Sequence, residues 1–214
     1  MGTTQLALYN GALTTYLGER KLASLSENRE PRRVLDDIWD RGARKYCLEQ
    51  GNWKFAQRVA KLTYAAGVTP AFGHPRAFEK PADFIKLSML CSDEFFSAPL
   101  LSYSEEAGYW FASVDDIYIS YVSSDTSYGY DLSLWPESFI RYVEAYLALS
   151  AMPRIAQSAT SKEVLVKEMQ KLKLDALSKD AMQGPTKFPP PSSWVRARTG
   201  ATGEGPRNKG SLYG

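Results

Sequence analysis

The chain has one histidine, two cysteines and no run of apolar residues long enough to enter a bilayer. Each scarcity excludes something. A lone imidazole, His74, cannot build an all-histidine metal site or a histidine pair. It stands between Gly73 and Pro75 in "FGHPR", where turn chemistry dominates, so a loop role is expected. Cys47 and Cys91 match no metal spacing and make no disulfide framework, which predicts two buried thiols in a reducing compartment. No stretch approaches the roughly 18 apolar residues of a membrane span. The opening "MGTTQLALYNG" lacks a basic region followed by a long apolar run. Leu6 stands where a myristoylation pattern needs Ser or Thr. The expectation is a protein made in a cytosol-like space, with no membrane partner.

Signatures of catalysis are missing too. There is no GxSxG, and the Gly-rich "TGATGEGPRNKG" matches neither GxxxxGK[ST] nor GxGxxG. Asp36, Asp37 and Asp40 form the densest carboxylate group, and Asp36 and Asp40 share a helix face. Arg32, Arg33, Arg41 and Arg44 interleave with them, and Arg32–Asp36, Arg33–Asp37 and Asp40–Arg44 are i,i+4 neighbours. A solvated or subunit-facing charged surface is the expectation there, rather than a glycosidase or two-metal site. Asp115 and Asp116 read as turn residues between strands. No enzyme, cofactor or metal is expected.

What the chain has in abundance is aromatic surface: 5 Trp, 13 Tyr and 9 Phe in 214 residues. Such side chains serve cores and protein interfaces alike. Net charge is only +2, but it is unevenly placed. Residues 183–214 carry Lys187, Arg196, Arg198, Arg207 and Lys209 against Glu204, a net +4, so the remainder stands at −2.

Periodicity predicts a helix from Thr3 to Leu17 with Leu6, Tyr9, Leu13 and Leu17 inward, capped by Thr3 or Thr4 and ended by Gly18. A second helix is predicted from Glu30 to Glu49, with Pro31 in its first turn, a stripe of Leu35, Ile38, Trp39, Gly42 and Tyr46, and Gly51 at C′. In "NWKFAQRVAKLTY", Trp53, Phe55 and Val59 are expected on one face of a strand. "AAGVTPAFGHPRAFEKP" reads as a loop. "FIKLSML", "EFFSAPLLSYS", "GYWFAS" and "DIYISYVSS" read as short strands. Helices return around Phe139–Ser150, with Pro153 kinking or ending the third, and after Thr160-x-x-Glu163, a capping box for the fourth. The fourth should turn Val164, Leu165, Met169, Leu172, Ala176 and Leu177 inward.

The fold class expected is therefore α+β: a four-helix bundle with a small antiparallel β-domain inserted between helices 2 and 3, plus an extended C-terminal tail. The bundle takes residues 1–51 and 133–183, the inserted domain 52–132 and the tail 184–214. The tail has no periodicity and too little apolar surface to order itself, and "KFPPPSSW" favours extended backbone. Phe188, Trp194, Val195, Leu212 and Tyr213 are spaced like anchors. Trp194 beside Arg196 and Arg198 also makes a minimal stacking platform, so a nucleic-acid-binding module using this tail is the alternative function.

"ALYNGALTTYLGERKLASLSENREPRRVLDDIWDRGARKYCLEQGNWKFAQRVAKL" resembles the N-terminal half of bacteriophage head-to-tail adaptors, also called head-completion or tail tubular A-like proteins. "FEKPADFIKLSML" and "SLWPESFIRYVEAYLALSAMPRIAQS" resemble later blocks of that family, and the likeness spans about residues 5 to 182. "NREPRRVLDDIWD…CLEQGNWKFA" is its most specific part. The resemblance implies a virion protein at the head–tail interface, assembled in the host cytoplasm. It implies a homo-oligomeric ring, dodecameric, that docks beneath the portal and receives a downstream tail or nozzle protein. The ring completes the channel through which DNA passes, without catalysis. Such adaptors' C-terminal segments reach up to clasp the portal. On that footing the expected portal-binding arm is Phe188, Trp194, Arg196, Arg198, Leu212 and Tyr213. Arg32, Arg33, Asp36, Asp37 and Asp40 would pair across a subunit boundary or line the channel. Among the aromatics Tyr109, Trp110, Phe111, Tyr118 and Tyr121, some are core, and Tyr109, Trp110 and Tyr118 would face the next tail component or a neighbouring subunit.

Overall fold

Thr4 caps the first helix as its sequence predicts. Its backbone is extended, and its hydroxyl accepts the Ala7 N–H at 3.2 Å. The computed structural model describes residues 3–68, 70, 72–156 and 159–184. Helix α1 (Gln5–Gly11) runs on into a π-helical stretch, Ala12–Leu17, and together they bury Leu8, Tyr9, Ala12 and Leu13.

The second predicted helix is present but broken. Helix α2 covers Glu30–Ile38, π-helical Trp39–Ala43 follows, and α3 covers Arg44–Glu49. The break lies at Gly42, whose φ of 100° is outside the helical region and open to glycine. A stripe running unbroken through Gly42 is therefore corrected: Trp39 and Ala43 are buried, while Tyr46 is exposed. Gly51 does not adopt the left-handed C′ conformation either; the side chains of Leu177 and Trp53 crowd the place where a Cβ would sit.

Lys54–Ala56 is a 3₁₀ turn, and strand β1 (Gln57–Thr63) begins only after it. Trp53 and Phe55 thus pack with the helices, and Val59 is exposed, which corrects the single-face strand. The remaining strands are β2 (Arg76–Glu79), β3 (Phe84–Cys91), β4 (Ser104–Glu106), β5 (Tyr109–Ala112) and β6 (Asp116–Ser123). Two antiparallel sheets result, ordered β1-β6-β3 and β2-β5-β4. Strand β2 falls in the stretch read as a loop; Gly73 and Pro75 end just before it, and Arg76–Glu79 find a partner in β5. The β4–β5 hairpin turns through Ala107 and Gly108, both at positive φ, the geometry that suits a two-residue connection.

Helix α4 (Glu137–Ile155) opens after Pro136, carries Pro153 in its last turn and ends as expected. It is buried nearly all round, more than a single stripe, because other helices surround it. Helix α5 (Ala159–Met182) lies along α4 and buries Leu165 and Ala176, but Val164 is exposed. The Thr160 side chain of the expected capping box lies outside the described residues.

The expected architecture is therefore overturned. The chain is α+β with helices at both ends and two three-stranded sheets, not a four-helix bundle carrying one small β-domain between its second and third helices. Met1–Gln183 form one compact unit. Trp53, Ala56 and Val122 from the middle of the chain are buried in the helical core, so strands and helices share it. Strand β6 explains how. Its alternation sends Ile117, Ile119 and Tyr121 to a second core between the sheets, and Val122 to the helices.

Candidate functional site

Helix α2 places its charged residues around a surface hollow of about 530 Å³, lined by Glu30, Arg32, Arg33, Val34, Asp36, Asp37 and Arg154. Arg32 pairs with Asp36, as their spacing predicts. The other Asp36 oxygen, Oδ1, accepts the Tyr9 hydroxyl at 3.0 Å, and Gln5 Nε2 donates to that hydroxyl at 2.8 Å. Burial, with Asp36 beside it, pushes the Tyr9 phenol well above its ordinary range. With both oxygens engaged, Asp36 is a positioning group and not a free base.

The two other expected pairs do not form. Arg33 donates to Asn28 Oδ1 instead, and Asp37 meets Arg154 of α4 at 3.9 Å. Arg44 is drawn away from Asp40 by aromatic faces, with its guanidinium 4.1 Å from the Tyr130 centroid and 5.0 Å from that of Trp39. The break at Gly42 falls between Asp40 and Arg44 and spoils their helical spacing. Asp40 is left exposed. Three bases and three carboxylates line the hollow, so it favours neither a free anion nor a free cation. It suits exchange of ion pairs with another protein surface.

In the sheets the expected interface aromatics separate. Trp110 is fully buried, its indole N–H donates to Glu105 at 3.3 Å, and Phe84 meets its ring edge-on at 5.2 Å. It belongs to the second core and is withdrawn as a contact residue for a partner. Tyr109 and Tyr118 are half-buried and keep part of their rings at the surface. Tyr118 lies under the Lys61 ammonium at 5.6 Å.

Asp83 joins the strands. It accepts from Arg58 at 3.0 Å, from the Tyr121 hydroxyl at 3.1 and 3.2 Å, and from Ser123. Burial raises its pKa, but the hydrogen bonds from Ser123, Arg58 and Tyr121 outweigh that and hold it below the ordinary value. Burial and the Asp83 charge push Tyr121 up to about 12. A groove of about 640 Å³ opens beside this group, between Arg58–Ala65 and Glu79–Asp83.

One feature legible in the sequence escaped the motif reading. Residues 87–140 contain nine carboxylates and no Lys, Arg or His, so every base lies outside them. The strand cations answer this stretch: Lys61 pairs with Asp116 at 2.8 Å, Arg76 with Asp115 and Lys80 with Glu105. Within the same stretch, the turn between β3 and β4 exposes Phe95 and Leu101.

Cys47 and Cys91 are free and buried, as expected. The His74 ring meets Ser113 Oγ at 3.0 Å in a bend. Among the described residues no three His, Cys, Asp or Glu side chains gather as a metal site would require. No described helix is long and apolar enough to cross a membrane. Phe188, Trp194, Arg196, Arg198, Leu212 and Tyr213 lie outside the described residues. Compared with protein families and with curated proteins, the chain matches no family model and no curated relative.

Proposed function

We propose that this chain is a structural head-to-tail adaptor of a tailed phage virion. It would form a ring that joins the portal to the tail and completes the DNA channel, and its C-terminal arm would clasp the portal. The observation that carries this reading is the block from Asn28 to Ala56, the most specific part of the sequence resemblance. Its apolar residues Val34, Leu35, Trp39, Ala43, Cys47, Leu48, Trp53 and Ala56 are all buried in the helical core. Its Glu30, Arg32, Arg33, Asp36 and Asp37 line, with Arg154, an open hollow of mixed sign. A surface of that kind supports a role at a subunit boundary, where each carboxylate and guanidinium finds a counterpart. The net +4 of residues 183–214 suits an acidic docking groove on the portal, with Phe188 and Trp194 as anchors.

The test is the mass of the complex formed with the cognate portal ring, with and without residues 185–214. A discrete ring-on-ring mass that needs those residues is expected. No complex with either form removes the adaptor role, and an unchanged complex with the shortened chain removes the arm. Charge reversal at Asp37, in the hollow, and at the exposed Asp40 divides the two roles of this charged surface: lost ring assembly marks a boundary, and slowed DNA release marks a channel lining. Steeply salt-dependent DNA affinity that survives in the isolated 185–214 peptide would favour the nucleic-acid-binding alternative instead.

A further inference from the structure

The turn between β3 and β4 is built to hold apolar side chains out of the protein. Asp93 organises it. Oδ2 accepts the Ser97 N–H at 3.0 Å and the Ser97 hydroxyl at 2.6 Å, and Oδ1 accepts the Ala98 N–H at 2.8 Å. Backbone bonds from Ser92 to Ala98 at 3.1 Å and from Leu100 to Leu90 at 2.9 Å close its base. Phe96 is held at a φ of 55°, a left-handed conformation that costs an aromatic residue energy. The result presents Phe95 at 80% and Leu101 at 90% exposure, beside the exposed Glu94 and with no base anywhere on the turn. No described residue covers them, and two large apolar side chains held out on one turn offer surface that a partner can bury.

The face of α5 turned away from α4 has the opposite character. Successive residues advance about 100° around a helix, which sets Val164, Lys167, Lys171, Leu174, Ser178 and Met182 on one outer stripe, opposite Leu165, Met169 and Ala176. Val164, Leu174 and Met182 are 60, 66 and 79% exposed, and Lys167 and Lys171 stand exposed between them. Glu163, Glu168 and Asp175 occupy the flanks, and the Asp175 charge is taken up by Lys179 at 2.7 Å.

We infer that the β3–β4 turn of one copy docks on the outer stripe of α5 of a second copy. Apolar side chains meet apolar side chains, and Glu94 meets Lys167 and Lys171. The flanking acids make α5 a poor track for a phosphate backbone, and three separated apolar residues are too few to hold a lipid surface. The contact joins two different patches, so it is heterologous and repeats from copy to copy, closing into a ring when the rotation allows. The inference rests on the adaptor reading and names a patch on each of the two surfaces through which neighbours in that ring would touch.

The experiment uses full-length Leu101→Cys and Leu174→Cys chains with a short bis-maleimide; native Cys47 and Cys91 are buried and stay silent. Mixing the two single variants should give a cross-linked dimer that neither gives alone, and the double variant should give a ladder. Adding Phe95→Ser, or Lys167→Glu with Lys171→Glu, should lower the cross-link yield about tenfold without changing thermal unfolding. If wild-type chains gather on the portal ring but the mixed variants never cross-link there, the contact is wrong and the adaptor stands. If wild-type chains do not gather on the portal while the mixed variants cross-link in solution, the adaptor reading fails and the contact stands. Duplex DNA retained by wild type, lost with Lys167→Glu and Lys171→Glu, and with no mixed dimer, would overturn the contact in favour of a nucleic-acid face.

Discussion

In the helical core Phe139 alone touches Trp53, Phe55, Trp135 and Tyr142, with centroids between 4.7 and 6.1 Å. Among the described residues, twenty-six buried ones meet there, against seven around Trp110 between the sheets. The smaller core has a reinforced rim. Arg58 lies over Tyr128 and pairs with Asp83, and Lys61 lies over Tyr118 and pairs with Asp116. Arg76 lies over Tyr64 and pairs with Asp115, and Lys80 lies over Trp110 and Phe84 and pairs with Glu105. Each cation has an aromatic face and a carboxylate. A sheet pair too small to close by apolar burial alone uses its aromatic surplus as seats for charge. Part of that surplus therefore serves the chain's own cations, and aromatic abundance does not by itself mark an interface.

The sharpest way to break the comparison is Phe139→Ala. It removes the hub of the larger core and should cost about 4 kcal/mol in urea-induced unfolding. Because Trp53 and Val122 share that core, helix and sheet signals should be lost in one transition; a sheet signal surviving at higher urea would show that the two regions are independent. Asp83→Asn attacks the rim and should cost about 2 kcal/mol. The native Asp83 pKa lies below its ordinary value of 3.8, so its stabilisation is present above that pH and is lost as pH falls through the lowered value. The gap between wild type and variant should close in strong acid.

Glu144 gives the smallest effect and the opposite sign. Its carboxylate on α4 sits where a side chain on Gly11 would otherwise go, with Tyr16 and Arg141 near and Glu137 two turns away. Burial, with Glu137 adding to it, raises its pKa from 4.5 to about 7. A raised carboxylate pKa means that the folded state holds the proton more tightly, so stability falls as pH rises from about 4.5 to 7. Glu144→Gln should flatten that slope and stabilise the chain at pH 8 by about 1–2 kcal/mol, allowing for solvent at a half-buried site. A slope unchanged in the variant would assign the proton elsewhere.

Local chemistry was legible in the chain: the Thr4 cap, the apolar rows of α1 and α4, and the runs that became β3, β5 and β6. Pairing was not. Arg76–Glu79 have little strand character and become β2 only because β5 lies alongside. Periodicity ran straight through Gly42, since a left-handed glycine changes direction without changing composition. For the candidate site, the Arg32–Asp36 spacing forecast a real pair, whereas Arg44 left Asp40 for two aromatic rings that spacing cannot reveal. Trp110 was misjudged because an aromatic bound for an interface and one bound for a small core look alike along a strand. The base-free stretch from 87 to 140 was open to counting, and it foretells that its strand carboxylates must find their cations elsewhere in the chain, as Asp115, Asp116 and Glu105 do.

Strand β6 serves both cores, and that sharing sets the order in which a growing chain can fold. Val122 pairs with Gln57, and α4, which most of the helical core packs against, begins roughly 90 residues after α3 ends. At ribosomal rates of about 5–20 residues per second, the apolar rows of α1 to α3 wait several seconds for the surfaces that cover them. Throughout that interval Leu35, Trp39, Leu48 and Trp53 are open to solvent and to other nascent chains. Slow synthesis or a holding chaperone should therefore change soluble yield far more than it changes the stability of the finished subunit.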